Sequence, residues 1–98
     1  MKKNLQKSVA QSLEINSTML PFVPDLLRGM WALGCSPRIV VDLLRPLGLP
    51  ASSTRILDLG CGKGAITVRT AEELGFQAIG VDACEAFLKE ARHKAAEH

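Results

Sequence analysis

Tyrosine is missing from this sequence and tryptophan occurs once, at Trp31, so aromatic residues make up only 4% of the chain. Binding of single-stranded nucleic acid leans on aromatic platforms for base stacking, and this composition supplies almost none. Charge of one sign is lacking as well. Residues 1–50 carry six basic and three acidic side chains, residues 51–98 carry six and seven, and the formal net charge is +2. Neither half holds a basic stripe, so nucleic acid is not an expected partner. The three cysteines, Cys35, Cys61 and Cys84, are odd in number and lack any Cys-x-x-Cys spacing. Neither a disulfide framework nor a structural zinc site is expected; reduced thiols in a cytoplasmic setting are. Long apolar runs are absent too. The longest uncharged run, residues 15–24, has ten residues and two prolines, whereas a bilayer-spanning helix needs roughly 20 apolar residues. No apolar stretch follows Met1-Lys2-Lys3 to make a signal peptide.

What is present describes a folded chain: 47% apolar and 22% charged over 98 residues, enough for one small domain or a part of a larger one. Leu5, Val9 and Leu13 recur at four-residue intervals and predict a helix over residues 3–14. Lys2, Lys3 and Lys7 near its start oppose the helix dipole, so a frayed or partner-stabilised helix is expected. After the polar break at Asn16-Ser17-Thr18, Pro24 suits the first turn of a helix running to about Leu33, with Gly34 placed to end it. Ser36-Pro37 is the next start signal, for a helix carrying Ile39, Val40, Leu43 and Leu44 and stopping near Arg45, before Pro46. Residues 1–50 therefore form an N-terminal helical cap segment. Its apolar residues, Leu20, Phe22, Val23, Leu26, Leu27, Met30, Trp31 and Leu33, are expected to pack as core against the second half. The functional reading beside this one is a lid over a ligand pocket, with the Met30-Trp31 pair nearest an acceptor.

Residues 51–98 read as β-α-β-α. Arg55 to Leu59 is a short strand whose Ile56, Leu57 and Leu59 do not alternate cleanly, as in a parallel strand covered on both faces. A helix from about Lys63 to Leu74 ends at Gly75. Phe76 to Val81 is the second strand, and Glu85 to Glu97 the last helix. The ends of both strands then face one side, and a ligand belongs there.

The chemistry gathers at Asp58-Leu59-Gly60-Cys61-Gly62-Lys63-Gly64. Gly60 and Gly62 allow backbone angles and close approach that a Cβ would block. Gly60, Gly62 and Ala65 also satisfy Gly-x-Gly-x-x-Gly/Ala, so a dinucleotide site competes. Asp58 tilts the choice. A carboxylate two residues before the first glycine would repel a pyrophosphate and attract an ammonium group. Asp82, at the end of the second strand, suits a bidentate hydrogen bond to ribose hydroxyls, which both ligand types carry. A phosphate-binding loop of the Gly-Lys-Ser/Thr kind is excluded because Gly64 follows Lys63. Lys63 is expected in solvent. Cys61 reads as a small turn residue, since a thiolate beside Asp58 is disfavoured. His93 and His98, five apart on a charged helix, read as surface and not as metal ligands.

Asp58-Leu59-Gly60-Cys61-Gly62-Lys63-Gly64 together with Gly80-Val81-Asp82-Ala83-Cys84 resembles the first two cofactor motifs of class I S-adenosylmethionine-dependent methyltransferases, over about residues 54–92. The resemblance implies the start of a Rossmann-like, doubly wound parallel sheet preceded by a helical segment, with S-adenosylmethionine as cofactor. It implies that Asp58, Gly60, Cys61 and Gly62 surround the methionine part, that Asp82 binds the ribose, and that Ala83 packs near the adenine. Cys84 stands where the family often has Ser or Asn to begin the next helix, and cysteine caps poorly. A complete fold of this family has about seven strands, with the first one central. This chain supplies two, so an N-terminal fragment is expected, or a second copy covering the open edge of the first strand. No catalytic base can be named, and the methyl acceptor is expected to be a small molecule. Two other readings stand: a nicotinamide-dependent oxidoreductase fragment, and a non-catalytic binding or assembly module.

Overall fold

The computed structural model describes residues 3–98. Lys2, one of the basic groups expected at the start of the first helix, lies outside them. The chain forms two compact units divided between Met30 and Trp31, and each is taken by itself.

In the first unit, α1 (Lys3–Ser12) ends in a reciprocal pair of backbone bonds, from Ile15 N–H to Ala10 C=O and from Glu14 N–H to Gln11 C=O. This closure puts Glu14 at φ +57°, a position more often held by glycine. Asn16 then accepts from both the N–H and the hydroxyl of Thr18 and opens a 3-10 turn, Ser17–Phe22. α2 (Val23–Leu26) follows with Pro24 in its first turn. The sequence predicts a helix from Pro24 to about Leu33; only this single turn forms. Gly29 adopts φ +82° and turns the chain well before Gly34, so the backbone leaves the helix at Leu27. Val23 is buried, whereas Phe22, Leu26 and Met30 are exposed.

The second unit begins with a short extended segment into α3 (Pro37–Leu44). Ser36 is extended and Pro37 takes the first helical position, as the dipeptide predicts. Arg45–Leu47 tightens into a 3-10 turn closed by Gly48. β1 (Arg55–Leu59), α4 (Ala65–Leu74), β2 (Gln77–Val81) and α5 (Glu85–Glu97) fall where the sequence puts them, although α4 starts two residues later than Lys63. Gly75, at φ +73°, ends α4 by donating its N–H to Ala71 C=O.

β1 and β2 pair in parallel, with Asp58 opposite Gly80 and Leu59 opposite Val81. Helix α4 packs on both strands and α3 packs on α4, with Val41, Val68 and Phe76 buried. The class is the α/β one expected. One expectation fails: the strands are not covered on both faces. Ile56, Asp58, Ala78 and Gly80 turn inward, while Leu57, Leu59, Ile79 and Val81 are exposed on the opposite face. Among the described residues no element covers that face.

Candidate functional site

The site forms where β1 runs into the loop before α4. Asp58 is on the inward face of β1, and the chain then makes a tight turn through Gly60, Cys61 and Gly62. Gly62 shows why that turn needs glycine. Its φ is +57°, and a Cβ there would lie 3.2 Å from Cδ1 of Leu33. The N–H groups of this loop are mostly consumed within the protein. Gly60 and Cys61 both donate to Val81 C=O, at 2.7 and 2.9 Å; Gly64 donates to Cys61 C=O; Gly62 donates to Asp82 Oδ2 at 2.8 Å. A loop that cradles a phosphate keeps such N–H groups pointing outward. This one spends them on tying the loop to the end of β2.

The two acidic residues are held differently. Asp82 accepts from the Gly62 N–H through Oδ2 and from the Cys84 N–H through Oδ1, so its carboxylate is fixed by backbone on both sides. Each oxygen keeps a second lone pair. Ala83, next in the chain, is exposed. Asp58 accepts from the Thr67 hydroxyl through Oδ2 at 2.7 Å. Its Oδ1 has no hydrogen bond among the described residues.

A cavity of about 270 Å³ opens at this place, lined by Asp58, Gly60, Gly62 and Ile66 and by the segment from Trp31 to Cys35. Trp31 anchors that segment. Its Nε1–H donates to the Lys63 carbonyl at 3.0 Å, its ring stacks on His98, and the Arg69 guanidinium lies 5.3 Å from its centre. His98 is exposed, as expected of it, and beside the stacking its Nδ1 is 3.1 Å from Glu72.

Lys63 departs from the solvent position expected of it. It is 2% exposed, its ammonium 3.1 Å from Glu90 and over the ring of Phe87. A buried ammonium requires a counter-charge, and α5 brings one. Cys61 behaves as the sequence suggests. Burial, and after it the nearby Asp58 and Asp82 carboxylates, push its thiol above the ordinary range.

All the residues singled out in the sequence (Asp58, Gly60, Cys61, Gly62, Asp82 and Ala83) therefore lie around one loop and the adjoining end of β2. Two participants escaped sequence reasoning. Thr67 lies nine residues after Asp58 on α4, and no local pattern marks it. Gly80 carried a signal, since a glycine inside a strand marks close approach. A Cβ at residue 80 would stand 2.7 Å from Cys61 Sγ and 3.0 Å from Thr67 Oγ1.

Comparison with known proteins falls on the same stretch. The family described as "Methyltransferase domain" matches residues 50–98, half of the chain. The chain belongs to this methyltransferase family. Aklanonic acid methyltransferase DauC of Streptomyces sp. (strain C5) is 35% identical over an alignment of 69 residues, taking in 61% of this chain and 31% of that protein. The chain thus corresponds to about a third of that methyltransferase's length. No solved structure matches. The family match contains both glycine-loop and Asp82 motifs, and the β-α-β-α order is the start of a Rossmann-like methyltransferase fold. No described helix is long and apolar enough to cross a membrane.

Proposed function

We propose that this chain provides the S-adenosylmethionine-binding part of a methyltransferase that acts, in the intact protein, on a small-molecule acceptor. One observation carries the choice of ligand: the loop spends its Gly60, Cys61, Gly62 and Gly64 N–H groups internally, while Asp58, with Oδ1 uncommitted, lines the cavity. That donor set suits an ammonium group and not a pyrophosphate. It favours the methyl-donor cofactor over the dinucleotide that the Gly60-x-Gly62-x-x-Ala65 spacing also allows.

The roles follow from the chemistry of each group. Asp58 would take the amino group of the methionine part, with Gly60, Cys61 and Gly62 shaping backbone around it. Asp82, already oriented by two backbone N–H groups, has lone pairs left for the ribose hydroxyls. Ala83 offers a small exposed surface to the adenine. The bound cofactor supplies an electrophilic methyl group on a sulfonium. The contribution of these residues is then alignment, and transfer from a sulfonium to a deprotonated acceptor needs little else. Ligand pockets run to about 300–1,000 Å³. A cavity of about 270 Å³ fits one side of such a site, with the acceptor side built by other parts of the protein. The three free thiols suit a reducing, cytoplasmic setting.

Calorimetry with S-adenosylhomocysteine and with NADH, on the wild type and on Asp58→Ala, tests the proposal. S-adenosylhomocysteine is expected to bind and to lose at least about tenfold in affinity on Asp58→Ala, the effect of one hydrogen bond to a charged group. NADH binding that Asp58→Ala leaves unchanged would overturn it.

A further inference from the structure

Helix α4 carries two threonines with different duties. Thr70 is fully buried, and its hydroxyl bonds back to the carbonyls of Ile66 and Thr67 within the helix. Thr67 instead reaches out of the helix and donates to Asp58 Oδ2 at 2.7 Å. That length is in the range of a charge-assisted O–H···O⁻ bond, the strong kind. The room for this arrangement comes from β2. Gly80 is paired with Asp58 in the sheet, and any Cβ at residue 80 would press on Thr67 Oγ1 and Cys61 Sγ at 3.0 and 2.7 Å. Three elements thus meet at one carboxylate: the strand that bears it, the helix that holds one of its oxygens, and the glycine on the neighbouring strand that leaves space for the hold.

We infer that Thr67 is a positioning residue that fixes the Asp58 carboxylate, so that Oδ1 is presented to the amino group of an amino-acid-bearing nucleoside. The inference rests on the cofactor reading above. With Oδ2 bound to Thr67, rotation about the Asp58 side chain breaks a strong hydrogen bond. A single acceptor oxygen therefore stays aimed, and the ordering of the side chain is done before ligand arrives. Without the hydroxyl the carboxylate samples several rotamers, and only part of the population is competent to bind. The benefit is confined to ligands that carry the amino group.

The test uses the 98-residue chain as wild type, Thr67→Val, Thr67→Ser, Thr70→Val and Gly80→Ala. Valine keeps the shape of Thr67 and removes the donor; serine restores the donor. Thr70→Val controls for loss of a hydroxyl on the same helix. Two readouts are taken: the Hα–Hβ scalar couplings of Asp58 without ligand, and calorimetric affinity for S-adenosylhomocysteine and for 5′-methylthioadenosine, which lacks the amino-acid portion. The couplings are expected to report one rotamer in the wild type, Thr67→Ser and Thr70→Val, and an average in Thr67→Val and Gly80→Ala. Thr67→Val is expected to weaken S-adenosylhomocysteine about tenfold and to leave 5′-methylthioadenosine within about twofold, with Thr67→Ser close to wild type. An equal loss for both ligands, or averaged Asp58 couplings in the wild type, overturns the inference. A wild type that binds neither nucleoside overturns the cofactor reading instead, and the couplings alone then decide whether Thr67 orients Asp58.

Discussion

Cys61 has its thiol over the sheet's inward face, near two carboxylates and partly out of water, and its ionisation is disfavoured for both reasons. The consequence for stability has a definite sign. Above the ordinary thiol range the unfolded chain gives up this proton while the folded protein keeps it. The contribution of the neutral thiol is complete below the ordinary value and is lost as pH climbs through the raised one. Urea unfolding between pH 7 and pH 10 is expected to show wild type losing more stability than Cys61→Ala as pH rises, the difference between the two isolating this group. Equal slopes would mean the thiol ionises freely in the fold. In native protein at pH 8, iodoacetamide is expected to label exposed Cys35 before Cys61. Residues of this kind separate cleanly into those legible in the sequence and those that were not. The places of Asp58 and Asp82 were legible because they depend on chain order: one precedes the glycines, the other follows the next strand. Lys63 was not. Its burial depends on Phe87 and Glu90, more than twenty residues downstream, and nothing near Lys63 announces them.

The same division holds for whole elements, and punctuation decides it. Where a glycine or proline has one place to act, the boundary is readable: Ser36-Pro37 starts α3, Gly75 ends α4. Gly34 is the stop the sequence suggests after Pro24, but Gly29, five residues earlier, turns left-handed and leaves a single turn of helix where two or three were expected. The start of α5 is legible in a different way. Cys84 is extended, at φ −94° and ψ 104°, which is the geometry of an N-cap, yet its side chain caps nothing. Asp82 compensates by accepting the Cys84 N–H, but the free donors of the first helical turn remain to be met. Cys84→Ser places an oxygen where the backbone is ready for it. It is expected to stabilise the fold by about 0.5–1 kcal/mol, read as a rise in the urea midpoint with unchanged slope. No rise would show that Asp82 already completes the cap. Because α5 carries Glu90, the partner of Lys63, a firmer start to α5 also steadies the loop beside the site.

At the scale of the molecule the two-stranded sheet is half dressed. Helix α4 and its neighbours cover one face; the other presents Leu57, Leu59, Ile79 and Val81, with Leu59 75% exposed. The apolar run of β1 announced this need for cover, which no element among the described residues supplies. Each such side chain contributes about 1.5–3 kcal/mol when fully buried, and these four are 49–75% exposed. Association costs about 4–15 kcal/mol in lost freedom, about as much as two such faces could offer if they were fully covered. β1 adds its outer edge, since in the sheet it pairs with β2 alone. Two copies related by a two-fold axis can pair those edges antiparallel, which supplies backbone hydrogen bonds and brings both apolar faces alongside each other. We therefore propose that the 98-residue chain, on its own, associates weakly with a second copy through β1. Sedimentation velocity from about 5 to 200 µM is expected to show a concentration-dependent dimer. Leu57→Lys with Leu59→Lys sets charges on the face and against each other across the axis, and is expected to return the monomer without loss of helix in circular dichroism. A wild type that stays monomeric over the whole range refutes edge pairing.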